Sequence, residues 1–168
     1  MNRRTKRLLT LGLVAVAVVG LAFLRGYLQE LDDQAEAKSS RQYAPVAAED
    51  HPALVWYRER EPDKEILLAC ADDITADGLE DMVLVYRIER GAAEAVALVA
   101  QEDNSYYVSP PIAAPQQNQK MRFFNMDRDP QLEFLLTGDK NGQVGYAVFR
   151  IIDGQITNLF GEGMEDCC

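Results

Sequence analysis

The chain has 168 residues, 48% apolar and 26% charged, with a net charge of −10 and a single histidine, His51. Its first 25 residues carry five basic and no acidic side chains, leaving 12 basic against 27 acidic residues, a net of −15, in the rest. A surface that acidic repels phosphate backbones and anionic headgroups, which excludes nucleic-acid binding and a peripheral polybasic membrane patch, and one histidine cannot build a multi-histidine metal centre.

Residues 8–24 read LLTLGLVAVAVVGLAFL, 17 residues without a charge. A helix of that length covers about 25 Å, short but sufficient to cross a membrane. Arg3, Arg4, Lys6 and Arg7 precede the run, and Glu30, Asp32, Asp33 and Glu36 follow it. The positive-inside bias then puts the N-terminus in the cytoplasm and the remainder outside. Residues 1–25 are therefore expected to be a basic cytoplasmic tip and a single-pass anchor in the cell membrane. A cleaved signal peptide shares this order, but no A-x-A pattern follows the run and Arg25 stands where a cleavage site would be wanted. Both readings export the rest of the chain. Residues 26–52 are helix-compatible as far as Lys38, then lose periodicity through Pro45 and Pro52, as a stalk and linker would.

From residue 53 to 160 the pattern predicts a mainly β domain. Residues 53–57 (ALVWY) read as a first strand, with Trp56 as a core aromatic. Strands are then predicted over 66–70, 81–88, 92–101 and 105–112, and again over 120–124, 132–137, 145–152 and 155–160, bounded by Asp, Gly, Asn or Pro. Residues 139–142 (DKNG) and Asp153-Gly154 read as hairpin turns. The simplest architecture is two four-stranded antiparallel meanders, blade-like units over about 66–117 and 118–160. Two blades do not close a propeller, so the halves must pack face to face or form an open pair.

The two units share an aspartate-rich segment at a constant offset of 52 residues: DITADGLED from Asp73 to Asp81, and NMDRDPQLE from Asn125 to Glu133. An apolar strand follows each, and a period of this length suits a blade repeat. These segments resemble the loops of FG-GAP and VCBS type repeats. The resemblance implies calcium held by alternating oxygens, from Asp73, Thr75, Asp77 and Asp81 in the first loop and Asn125, Asp127, Asp129 and Glu133 in the second. Alternation suits a hard cation that takes six to eight oxygens. Leu84 at the twelfth position excludes an EF-hand, and Pro130 replaces the glycine of the first loop, Gly78. The competing reading is that these acids only cap turns and bond backbone amides.

Residues 161–168 are expected to be a flexible tail ending in Cys167 and Cys168. Adjacent thiolates bind soft cations such as Hg(II), Cu(I) or Zn(II) and pass them on by stepwise exchange. Cys70 ends an apolar strand and reads as a packed core thiol, although a disulfide from it to Cys167 or Cys168 stays open.

The basic N-terminus, single anchor, exported domain and Cys167-Cys168 pair together resemble the Cys-Cys-COOH (seleno)protein SaoC family, in which one of the two cysteines can be selenocysteine. The resemblance implies a setting with ABC-type transporter subunits, a thioredoxin-like protein and an organomercurial-lyase-like protein, hence mercury or organomercurial handling. The leading expectation is an anchored binding protein, not an enzyme, that presents a vicinal dithiol for soft-metal capture or relay. Two other readings are a thiol-disulfide redox partner of a thioredoxin-like protein and a calcium-stabilised structural β module.

Overall fold

The computed structural model of the chain describes residues 20, 24–26, 43–140 and 142–162. The chain divides into two units, Met1–Ser39 and Ser40–Cys168. In the first, Gly20, Leu24, Arg25 and Gly26 are helical, and the remainder of the expected anchor lies outside the described residues, as does the stalk from 27 to 42. Among the described residues no helix is long and apolar enough to cross a membrane.

The second unit is mainly β, with two antiparallel sheets. The first contains β1 (Glu65–Asp72), β2 (Asp81–Arg87), β3 (Ala93–Ala100) and β4 (Tyr106–Val108) in that order, with β5 (Ile112–Ala114) also paired to β3. The second contains β6 (Gln117–Phe124), β7 (Glu133–Lys140), β8 (Gln143–Ile152) and β9 (Gln155–Glu162), again in chain order. The expected strand over 105–112 is split because Pro110 and Pro111 have no N–H to give to β3. Buried Ser109 fills the break: its Oγ accepts from Ala97 N at 2.9 Å, and its own N–H donates to Ala97 O at 2.9 Å. The first sheet thus has five strands where four are expected.

Residues 53–57 do not form a strand. They lie in helix α1, Pro52–Arg60. A short apolar run is ambiguous between the two periods, and the N-terminal signals decide for helix: Pro52 at the first position and His51 Nδ1 accepting from Ala53 N at 3.3 Å. Ala53, Leu54 and Tyr57 then fall on one face and are buried against Ala69, Met82, Leu84, Tyr86, Val96 and Leu98, the outer face of the first sheet. Trp56 is partly buried at the edge of this cluster, edge-on to Tyr106 at 5.3 Å.

Alternation sends the other side chains of those strands inward. Leu68, Cys70, Val83, Val85 and the alanines 93, 95 and 97 share one core with Met121, Phe134, Leu136, Ala147, Phe149, Ile151 and Ile156 of the second sheet. Phe134 stacks on Phe149 at 5.4 Å within it. Covered on both faces, β2 is buried from Asp81 to Tyr86, which accounts for its unbroken apolar run.

The segment before α1 belongs to this unit. Ala44 N donates to Met121 O of β6 at 2.7 Å, and Ala47 N donates to Ala69 O of β1 at 2.8 Å. Both strands are sheet edges, so residues 44–47 strap the exposed backbone of one edge of each sheet. Elsewhere Tyr107 of β4 lies against the β8–β9 turn, where a Cβ on Gly154 would come within 2.6 Å of its ring. That turn has φ of +52° at Asp153 and +74° at Gly154, the two positive values that a two-residue type I′ hairpin needs.

Candidate functional site

The aspartate-rich segments form two equivalent loops, one leading into β2 and one into β7. Their equivalence is structural as well as sequential: Ala76 and Arg128, 52 residues apart, both adopt positive φ, +59° and +69°. The loops are joined by a backbone bond from Leu132 N to the carbonyl of buried Ile74, 2.9 Å long.

In the first loop the acids turn inward on backbone donors. Asp73 accepts from Asp77 N and Gly78 N, each at 3.1 Å, and Asp77 accepts from Leu79 N at 2.9 Å. Asp81 is fully buried; Thr75 N and Thr75 Oγ1 both donate to its Oδ2, and Ala100 N donates to Oδ1, all at 2.9 Å. Burial raises the Asp81 carboxyl above its ordinary range; the hydrogen bonds from Ala100 and Thr75 oppose that rise, and the nearby charge of Asp77 adds to it. Thr75, the remaining expected ligand, is thus a donor to Asp81.

The second loop repeats the turn chemistry but adds a charge. Asn125 accepts from Arg128 N at 2.6 Å and donates to Asp129 O, while Asp127 accepts from Asp129 N at 3.0 Å. Glu133, fully buried like its counterpart Asp81, accepts from Met126 N at 2.7 Å. Arg150 of β8 then reaches three of the four expected ligands: Nη2 bonds Asp127 Oδ2 at 2.6 Å and Glu133 Oε1, and Nη1 bonds Asp129 Oδ2 at 3.3 Å. The amide of Asp129 and the Arg150 guanidinium hold the Asp127 carboxyl below its usual range, and Glu133 and Asp127 raise Arg150 in turn.

Arg150 was not among the residues singled out from the sequence. Its only signal there is a charge within the apolar strand AVFRII. Among the described residues no group of three or more His, Cys, Asp or Glu side chains is set to hold a metal ion. His51 is committed elsewhere, with Nδ1 capping α1 and Nε2 at 3.0 Å from Glu80 Oε2. As an acceptor Nδ1 carries no proton, so Nε2–H is the donor.

Cys167 and Cys168 lie outside the described residues. Cys70, on β1, has 0% exposure and a free sulfur, and burial pushes its thiol up to about 11. The ends of the described domain are level with one row of the second sheet, at its opposite edges. Ala44 binds at Met121, which lies in one cross-strand row with Leu136, Ala147 and Gly161, one residue before the last described position of β9. The loops adjoin the row Phe124, Glu133, Arg150 and Thr157, three residues further along β6. No protein-family model, curated protein or solved structure matches the chain.

Proposed function

We propose that the chain is a membrane-anchored, extracytoplasmic binding protein whose β domain carries the Cys167-Cys168 pair for capture or relay of a soft metal, with Hg(II) as cargo. The observation that carries this reading is the state of Cys70. A free thiol with 0% exposure between two sheets is not presented to a disulfide partner, so the described fold offers nothing to lock the pair. Two neighbouring sulfurs suit a polarizable cation, and stepwise thiolate attack moves such a cation from one dithiol to the next without release.

On this reading residues 8–24 are the single transmembrane helix, and the two sheets are blade-like meanders of an unclosed propeller. Ala44 beside β6 and Gly161 of β9 are level across the sheet and both lie away from the acidic-loop row, which supports a tether and a dithiol set apart from those loops. The partners are the ABC-type transporter subunits and the thioredoxin-like protein that the family resemblance implies.

Calorimetric titration of the reduced full chain in detergent with HgCl2 tests this. The wild type and Cys70→Ala bind one equivalent tightly, whereas Cys167→Ser combined with Cys168→Ser loses that binding. Unchanged stoichiometry in the double variant overturns the proposal. A trapped mixed disulfide with a thioredoxin-like protein, without tight Hg(II) binding, would assign the pair to redox exchange instead.

A further inference from the structure

The two loops differ at the point where a cation was expected. Asp127, Asp129 and Glu133 converge on the Arg150 guanidinium, and Arg150 stands directly opposite Glu133 in the β7–β8 register. Its side chain is 14% exposed and that of Glu133 1%, so the pair is largely removed from water, where a carboxylate without a partner is strongly disfavoured. In the first sheet Leu98 pairs with Met82, so the residue standing opposite Asp81 is Val99, which packs against the inter-sheet core. That position carries no charge, and Asp81 is met by neutral donors alone. A divalent ion bound by the same oxygens in the second loop would sit within a few ångströms of a fixed positive charge, a strongly repulsive arrangement at low dielectric.

We infer that Arg150 is the resident cation of the second aspartate-rich loop: it closes the loop without metal, and its removal converts Asp127, Asp129 and Glu133 into a divalent-cation site. The inference is independent of the thiols.

The amides of Met126 and Asp129 donate to Glu133 and Asp127 and report on the loop in nitrogen–proton correlation spectra of the full chain. In wild-type protein these two signals stay in place as CaCl2 is raised to about 1 mM, the range of weak extracellular calcium modules. The thermal midpoint of Arg150→Leu falls below that of wild type, CaCl2 restores it, and adding Asp127→Asn abolishes the restoration. Movement of the two wild-type signals, an unshifted midpoint in Arg150→Leu, or failure of CaCl2 to restore it overturns the inference. Should Arg150→Leu not fold in any condition, Arg150→Lys keeps the positive charge and is expected to fold with a lowered midpoint that CaCl2 leaves unchanged; a calcium response there overturns the inference equally.

Discussion

Cys70 is a buried, free thiol of the inter-sheet core. Burial keeps the Cys70 thiol protonated up to about 11, and the thiolate is the form that alkylates. Native protein treated with iodoacetamide at mildly alkaline pH should therefore leave Cys70 unmodified until it unfolds, and the proposed function adds two native adducts on Cys167-Cys168; mass spectrometry of digests distinguishes them. A native adduct on Cys70 would mean that the inter-sheet core opens. Acid titration tests a second residue. The Asp127 carboxyl is held below its ordinary 3.8 by the Asp129 amide and Arg150, so its contribution to stability is present above that value and lost as pH falls through the folded-state value. Asp81, raised by burial, has the opposite sign, contributing most below 3.8 and less as pH rises through its folded-state value. Urea unfolding at a series of pH values below 3.8 should show a shallower loss of stability in Asp127→Asn than in wild type. Equal slopes would mean that the Arg150 contacts do not form in solution.

At the scale of elements, helix α1 and the turns show why parts of the fold were legible in the sequence and others were not. Strands β1 to β3 and β6 to β9 were readable because each pairs an apolar run with local turn chemistry, as at Asp153-Gly154, where positive φ at both positions is a property of the dipeptide itself. Residues 53–57 misled because five apolar residues with a central valine fit either period; the decision lay in Pro52 and the ring nitrogen of His51. The doubled acidic loops were visible as a repeat. The partner of the second was not, since Arg150 follows Glu133 by a whole hairpin and meets it only through sheet register. Because α1 completes the outer face of the first sheet, truncating its fully buried Leu54 should cost about 2–5 kcal/mol, measurable as a lower urea midpoint for Leu54→Ala. His51→Ala removes only the cap and should cost about 1 kcal/mol.

For the whole molecule, the strap moves the boundary of the domain. A start at residue 53, where the strand pattern begins, would omit the donors Ala44 N and Ala47 N and the His51 cap, leaving the backbone of β1 and β6 unpaired at two edges. A fragment of residues 43–162 should unfold cooperatively and stay monomeric, whereas residues 53–162 should be less stable and self-associate through those edges; denaturant melts and sedimentation compare the two directly. The shared row of Met121 and Gly161 has a topological corollary. Ala44 lies outside β6, so four inter-strand spacings of about 4.8 Å, roughly 19 Å, separate it from β9, and a linker of about eight residues would span the gap between residues 43 and 162. A circularly permuted polypeptide, joined there and reopened at the Glu89–Gly91 turn, should therefore reach the same native topology.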